Sequence, residues 1–481
     1  MSTFGQLARR HWLFLALVCL GTMLRILVWL CYRPGLWYLG DSISYLANAL
    51  HLAPGDIRPS GYSLYLAALR PLHSLALVTA TQHLIGVAIA SLTYLWMVKS
   101  GVRPWLAALA TAPLLLDGFI LELEQLLLAD TLFALLVTIA VVVLFWQRPQ
   151  TRWTTYLAVG ALVGMAGVTR TVGVGLVVLI VGALALLRGS WKSIPAFVLA
   201  AALPLVMYGF WFESDYGFFG MTDYSGAFLY ARVMPWSTCN GVQLSALERK
   251  LCDPRPPNER PNQNWYMWSP NGPLDRLDLG EHARSTVAQD FAIAMITHNP
   301  AGYADAVIGS MAQSFSWHEN TIGQANTYTF TLEPPILPES SLRLAEQYQN
   351  GVPAQTHVSS RTLARLLLSY QQWFRAPGPL YLVAVLTALL GAAFGRGAER
   401  RVRVASLSFA VFGTYLLFIA PVTVFYDQRY VLAALPMCCL GFGTGLELVL
   451  GRLRPRRDSS RRVGPPSSPI KELPAEPIGE V

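Results

Sequence analysis

The chain has 481 residues, 53% of them hydrophobic and 13% charged, with a mean hydropathy of +0.41. Soluble domains carry about 25% charged residues, so an ordinary soluble globular protein is excluded, and so is a disordered chain, which needs low hydrophobicity and high charge. The net charge of +8 fits either a polyanion-binding surface or the cytoplasmic loops of a membrane protein.

A bilayer core takes about 20 mostly apolar residues per helix. Ten segments have that character: 12–32, 76–98, 104–120, 125–146, 153–170, 172–188, 193–213, 377–395, 404–424 and 430–450. The first follows Arg9 and Arg10 and lacks a small-residue cleavage site, so it is expected to stay as a span. Segments 104–120 and 125–146 also fit a broken hairpin. Placing the N-terminus inside puts Lys99, Arg103, Arg148, Arg152, Arg188, Lys192 and Arg400 in cytoplasmic loops, as the positive-inside rule requires. The tail from 451 to 481 is Arg-rich, then Pro/Ser-rich. It is expected to be cytoplasmic, disordered and near anionic headgroups. The basic charge therefore reads as topology, and no nucleic-acid partner is expected.

The fold class expected is a mainly α, polytopic membrane protein of about ten transmembrane helices. Residues 1–213 form an N-terminal transmembrane module with a first outer loop over 33–75. Residues 214–376 form an extracytoplasmic α-rich or mixed domain, and 377–450 form the C-terminal spans. Cys239 and Cys252 fall in that outer segment, where an exported location permits a disulfide; two free thiols are the alternative.

Ionisable groups at span edges are expensive and mark function by default. In chain order they gather at one membrane face. Asp41 follows the first span and reads as a general base, as an N-cap for a helix over 42–50, or as both. Arg58, in a Pro-Gly turn, suits a phosphate or a lipid headgroup. Glu122 and Glu124 can both reach one Mg, Mn or Ca ion if that stretch is extended; a solvated helix start is the alternative. Asp130 lies deeper and should have a partner; with Asp427 it is a candidate substrate or supporting residue, and an aspartate bonded to a neighbouring helix is the alternative. Arg170 is the one cation in its outer turn, which favours a phosphate ligand. Arg429 opens the last span beside Asp427, as a second phosphate ligand or a local ion pair. No Gly-rich phosphate loop, nucleophile elbow or zinc signature is present.

Five features together resemble the GT-C superfamily of integral-membrane glycosyltransferases, in the branch of aminoarabinose transferases and protein O-mannosyltransferases. They are Asp41 followed by Tyr45, the turn Arg58-Pro59-Ser60-Gly61-Tyr62, the acidic hairpin from Glu122 into Leu128-Ala129-Asp130-Thr131, the turn Thr169-Arg170, and Arg429-Tyr430 ahead of Pro436. The resemblance implies a polyprenyl-phosphate sugar donor, an acceptor hydroxyl on a glycan, lipid or protein, and inverting transfer outside the plasma (inner) membrane. It implies Asp41 as the base, Arg58 on the donor phosphate, and Tyr45 and Tyr62 as substrate or supporting residues. The family's glutamate before the basic residue is replaced here by Ile57, while Glu122-x-Glu124 resembles the cation motif of oligosaccharyltransferases, so metal use is left open. Burial at the membrane surface is expected to raise the Asp41 pKa toward neutrality. A transporter or flippase of lipid-linked saccharides, or a non-catalytic assembly protein of the cell envelope, are the competing readings.

Overall fold

The computed structural model describes residues 3–38, 40–146, 153–188, 192–317, 328–395 and 397–451. All but the first residue of the tail expected over 451–481 lies outside the described residues. The molecule is mainly helical. Its one sheet among the described residues pairs Tyr32–Arg33 antiparallel with His357–Val358, setting Tyr32 opposite Val358. That short ladder ties the end of the first helix to a segment more than 300 positions later in the chain.

All ten apolar segments are largely helical, but their lengths differ from the ten spans expected. Five helices are long and apolar enough to cross a membrane: Arg9–Cys31, Leu75–Lys99, Ser193–Tyr216, Arg400–Thr423 and Gln428–Val449. Two bent pairs raise the number to seven. Pro104–Leu116 continues into Gly118–Gln125 at 49°, and Arg361–Trp373 into Gly378–Phe394 at 47°. Asp130–Trp146, Trp153–Thr169 and Gly173–Leu187 have 17, 17 and 15 residues. At 1.5 Å per residue they reach about 22–26 Å, short of a hydrocarbon core of about 30 Å. Hydropathy along a sequence counts apolar residues and misses the places where a helix stops or bends.

The first bend has a local cause. Asp117 Oδ1 accepts the Phe119 amide at 2.8 Å and so starts a new helix. Its Oδ2 accepts the Ala376 amide at 2.9 Å, which fixes the break of one bent pair against the break of the other. Gly118 allows this approach, since a Cβ there would lie 2.7 Å from Gln371 Cα. Elsewhere small residues let helices touch. A Cβ on Gly160 would meet the Phe197 carbonyl oxygen at 2.3 Å, where Trp153–Thr169 lies on Ser193–Tyr216.

The segment expected as one domain, 214–376, feeds two cores. Tyr230, Leu251, Tyr266 and Phe291 form a separate buried cluster, stitched by a disulfide between Cys239 and Cys252. Tyr328, Phe330, Leu337, Tyr348 and Leu367 instead join the same buried cluster as the long helices. The chain from 328 to 373 is thus folded back onto the first loop, and this return completes the site.

Candidate functional site

The first loop is pinned before it reaches Asp41. Ser42 Oγ accepts the Tyr38 amide and donates to the Leu127 carbonyl oxygen, both at 2.9 Å. Gly40, at φ +95°, turns the chain into the helix Asp41–His51. Asp41 is the first helical residue there and no side chain caps that end, which corrects the N-cap expectation. Its carboxylate meets two arginines instead.

Asp41 Oδ2 accepts from Arg429 Nη1 at 2.7 Å, and Oδ1 lies 3.4 Å from Arg58 Nε. Arg58 stacks over the Phe228 ring, 4.8 Å from its centre. Arg429 belongs to the short turn Gln428–Tyr430 and lies 4.6 Å over the Tyr38 ring. Its Nε is also 3.1 Å from Asp427 Oδ2, an ion pair without hydrogen-bond alignment. Asp427 accepts the Tyr328 hydroxyl at 2.8 and 3.0 Å. Two carboxylates therefore share one buried guanidinium, and Arg58 supplies the second positive charge. Beside them Arg170 Nη1 donates to Asp130 Oδ1, and its guanidinium lies 4.9 Å over the Tyr430 ring. Asp130 is thus paired with the turn that follows the helix Trp153–Thr169, and its Oδ2 is left unpartnered.

Burial pushes the Asp41 carboxyl up, but Arg58 and Arg429 outweigh it and hold it well below the usual carboxylate range. The rise expected from burial is reversed because the same fold that buries the acid also supplies two cations. The Tyr45 hydroxyl is pushed up by burial and by Asp41 and stays protonated.

Two cavities flank the cluster. One, of about 290 Å³, is lined by Tyr45, Arg58, Arg170 and Tyr430 and runs to the apolar side chains of Ile419 and Ala420. The other, of about 620 Å³, is lined by Trp37, Tyr38, Tyr328, Phe330 and Glu122. Tyr62 lines neither. It is fully buried, edge-on to Tyr45 at 5.0 Å, and donates to Gln82 Oε1 at 2.6 Å. It holds Tyr45 in place from behind.

Glu122 and Glu124 do not converge. They lie in the helix Gly118–Gln125, where residues two apart point about 200° apart. Glu122 accepts from Gln371 Nε2 at 2.6 Å. Glu124 accepts from Arg25 Nε and Nη2 at 2.8 and 2.7 Å and is 2.9 Å from His83 Nδ1. The extended stretch that a shared cation requires is absent, so this pair does not fit a Mg, Mn or Ca site. Among the described residues no group of three or more His, Cys, Asp or Glu side chains is placed to hold a metal ion. Glu124 instead neutralises Arg25, which lies inside the span Arg9–Cys31. Gly86 makes room, since a Cβ there would lie 1.9 Å from Glu124 Oε1.

The structure therefore brings Asp41, Arg58, Arg429 and Asp427 together, with Arg170 and Asp130 as a paired neighbour, and sends Glu122 and Glu124 elsewhere. Tyr38 and Tyr328 escaped the sequence reading because loop aromatics carry no signal of their own. Arg375, between the helices Arg361–Trp373 and Gly378–Phe394, meets the same rule of a charge at a helix edge that singled out Arg429. Compared with protein-family models and with curated proteins, the chain matches none.

Proposed function

We propose that the protein is a glycosyltransferase that moves a sugar from a polyprenyl-phosphate donor to an acceptor hydroxyl, with inversion, on the extracytoplasmic side of a plasma membrane. The observation that carries this reading is a carboxylate, Asp41, gripped by two arginines between two cavities. One cavity offers arginine and an apolar extension, the match for a lipid phosphate. The other is lined by aromatic rings, the match for a sugar or another acceptor.

In the resting molecule Asp41 is a poor base because Arg58 and Arg429 stabilise its charged form. Donor phosphate is the stronger competitor for both guanidiniums. As they turn to the phosphate, Asp41 loses its counter-charges and becomes basic enough to accept the acceptor's proton. The acceptor oxygen bonds to the anomeric carbon on the face opposite the phosphate. The bond from that carbon to the phosphate oxygen breaks, and its electron pair leaves with the phosphate. Arg58, Arg429 and Arg170 stabilise the departing charge. Asp427, itself held by Tyr328, keeps Arg429 oriented. The prenyl chain lies along Ile419 and Ala420. The acceptor, a hydroxyl of a glycan, lipid or protein, enters past Tyr38.

A carrier of lipid-linked saccharides needs ionisable groups spread through the membrane's depth. The Arg25–Glu124–His83 set is the interior candidate, and it is closed on itself by hydrogen bonds, which does not favour transport. The deciding assay uses purified protein, a polyprenyl-phosphate sugar and Asp41→Asn. Transfer is expected to fall by about 10²–10⁴-fold while donor binding persists. Unaltered transfer by Asp41→Asn would overturn the base assignment, and it would favour a non-catalytic role in envelope assembly if the native chain were equally inactive.

A further inference from the structure

The helix Arg361–Trp373 is pinned to two spans, and its exposed face takes no part in the transfer chemistry. At its start the Ser359 amide donates to the Cys31 carbonyl oxygen at 3.0 Å, and Ser359 Oγ donates to that of Leu30 at 2.7 Å, where the span Arg9–Cys31 ends. At its other end Tyr370 Oη donates to the Leu116 carbonyl oxygen, and the Gly118 amide donates to that of Phe374 at 2.8 Å, beside the break of the first bent pair. The helix therefore runs from the end of one span to a bend inside another. Ala364, Leu367 and Gln371 are buried against the protein. On the other side Leu366 is 63% exposed and Trp373 84%; two turns apart, they share one stripe. Arg361 and Arg365 stand in the first two turns and are exposed. Neither has a hydrogen bond or an ion pair among the described residues, and the helix carries no acidic residue.

We propose that this helix is a lipid-binding element, with Leu366 and Trp373 seated at the boundary between headgroups and acyl chains and Arg361 and Arg365 holding the phosphates of anionic lipids. Three observations lead there. First, the apolar exposure does not stop at Trp373: Phe374 is exposed, and so are Leu380, Val383 and Leu386 on the next helix, Gly378–Phe394. That helix has 17 residues and covers about 25 Å, so a core of about 30 Å leaves about one turn to be supplied from the Trp373 end. Second, the order along the helix matches depth. The arginines stand beside the end of a span, and Trp373 and Phe374 beside a bend inside one, as headgroup cations and interfacial aromatics are arranged. Third, two unpaired guanidiniums on a helix without an acid favour an anionic surface over a zwitterionic one. A soluble protein partner would have to cover a row that runs on into the membrane. Gln371, on the buried side, accepts the Phe330 amide at 2.9 Å and donates to the Tyr328 carbonyl oxygen at 3.3 Å. The lipid seat thus also holds the segment that carries Tyr328.

Lipid binding here needs neither donor nor acceptor, so its test is independent of the transfer reading. Purified full-length protein is placed in nanodiscs of phosphatidylcholine, alone or mixed with phosphatidylglycerol, and amide hydrogen exchange is followed over 361–374. Exchange there should be slower in the anionic discs, by about fivefold for each arginine. Arg361→Gln with Arg365→Gln should remove the difference between the two discs. Arg361→Lys with Arg365→Lys keeps both charges and should keep most of the difference, which provides a folded variant if the Gln pair is unstable. Brominated phosphatidylcholine reports the apolar seat separately: the emission that Trp373→Phe removes from the native spectrum should be one that bromine quenches. Equal exchange in both discs, a lipid effect that survives the Gln pair or vanishes in the Lys pair, or a Trp373 emission untouched by bromine overturns the proposal.

Discussion

Asp41 and Arg429 stand 388 positions apart, and their Oδ2 and Nη1 atoms meet at 2.7 Å. One opens a helix within the first loop, and the other sits in the turn that opens the last long helix. Their contact closes the two ends of the chain around the site. Arg429→Gln leaves Asp427 buried without its counter-charge, so we expect a loss of roughly 3–5 kcal/mol in stability. We also expect transfer to fall about 10²–10³-fold. Arg429→Lys keeps the charge and loses the fork that serves two carboxylates, and should be intermediate. Chemical denaturation and single-turnover transfer check both; a Gln variant with native stability and rate would refute the shared-guanidinium picture.

The arginines also set a pH signature. The folded Asp41 carboxyl lies below its usual range. Its contribution to stability is therefore complete above about pH 4, the ordinary unfolded value, and is lost as pH falls through the lower folded value. Melting temperatures from pH 7 to pH 3 should drop less steeply in Asp41→Asn than in the native chain.

Donor binding diverts both arginines, so the same carboxyl should titrate at higher pH in the donor complex. The acid limb of kcat, which reports the complex, is expected above the acid limb of kcat/KM, which reports the free protein. Coincident limbs would argue against phosphate competing with Asp41 for the arginines.

Glu124 is fully buried and Arg25 is 2% exposed. Glu124→Gln removes one partner of a buried pair and should cost roughly 3–5 kcal/mol, whereas replacing both residues by apolar ones should cost far less. Excess chelator should leave transfer unchanged, because Glu122 and Glu124 face different partners. Loss of activity in chelator, restored by Mg or Mn, would require a metal site outside this pair.

The Cys239–Cys252 disulfide joins residues 13 positions apart, and loop-closure entropy puts its worth at about 3 kcal/mol. The Asp253 carboxylate next to it is bound by Arg255 and by the Tyr266 hydroxyl. Cys239→Ser with Cys252→Ser should loosen the cluster around Tyr230 and Phe291 first. Hydrogen exchange should rise there and stay low across the long helices; uniform exchange would show that the two cores unfold as one.

Local composition was enough to find the helices and to flag the charged residues beside them, because burying apolar residues and exposing charges are energies summed residue by residue. The identity of Asp41, Arg58, Arg170 and Arg429 as a group to examine came from that same rule. What composition left open is pairing. Arg429 finds Asp41 across nearly the whole chain, Glu124 turns to Arg25 while Glu122 turns to Gln371, and Arg375 comes beside Gln428 only because two bent helix pairs meet at Asp117. The sign of the Asp41 shift followed the pairing: burial alone raises a carboxyl, and two arginines brought by the fold reverse it. The number of spans was likewise decided by where Asp117 starts a new helix and where three helices end short, which depends on capping and packing and not on hydropathy.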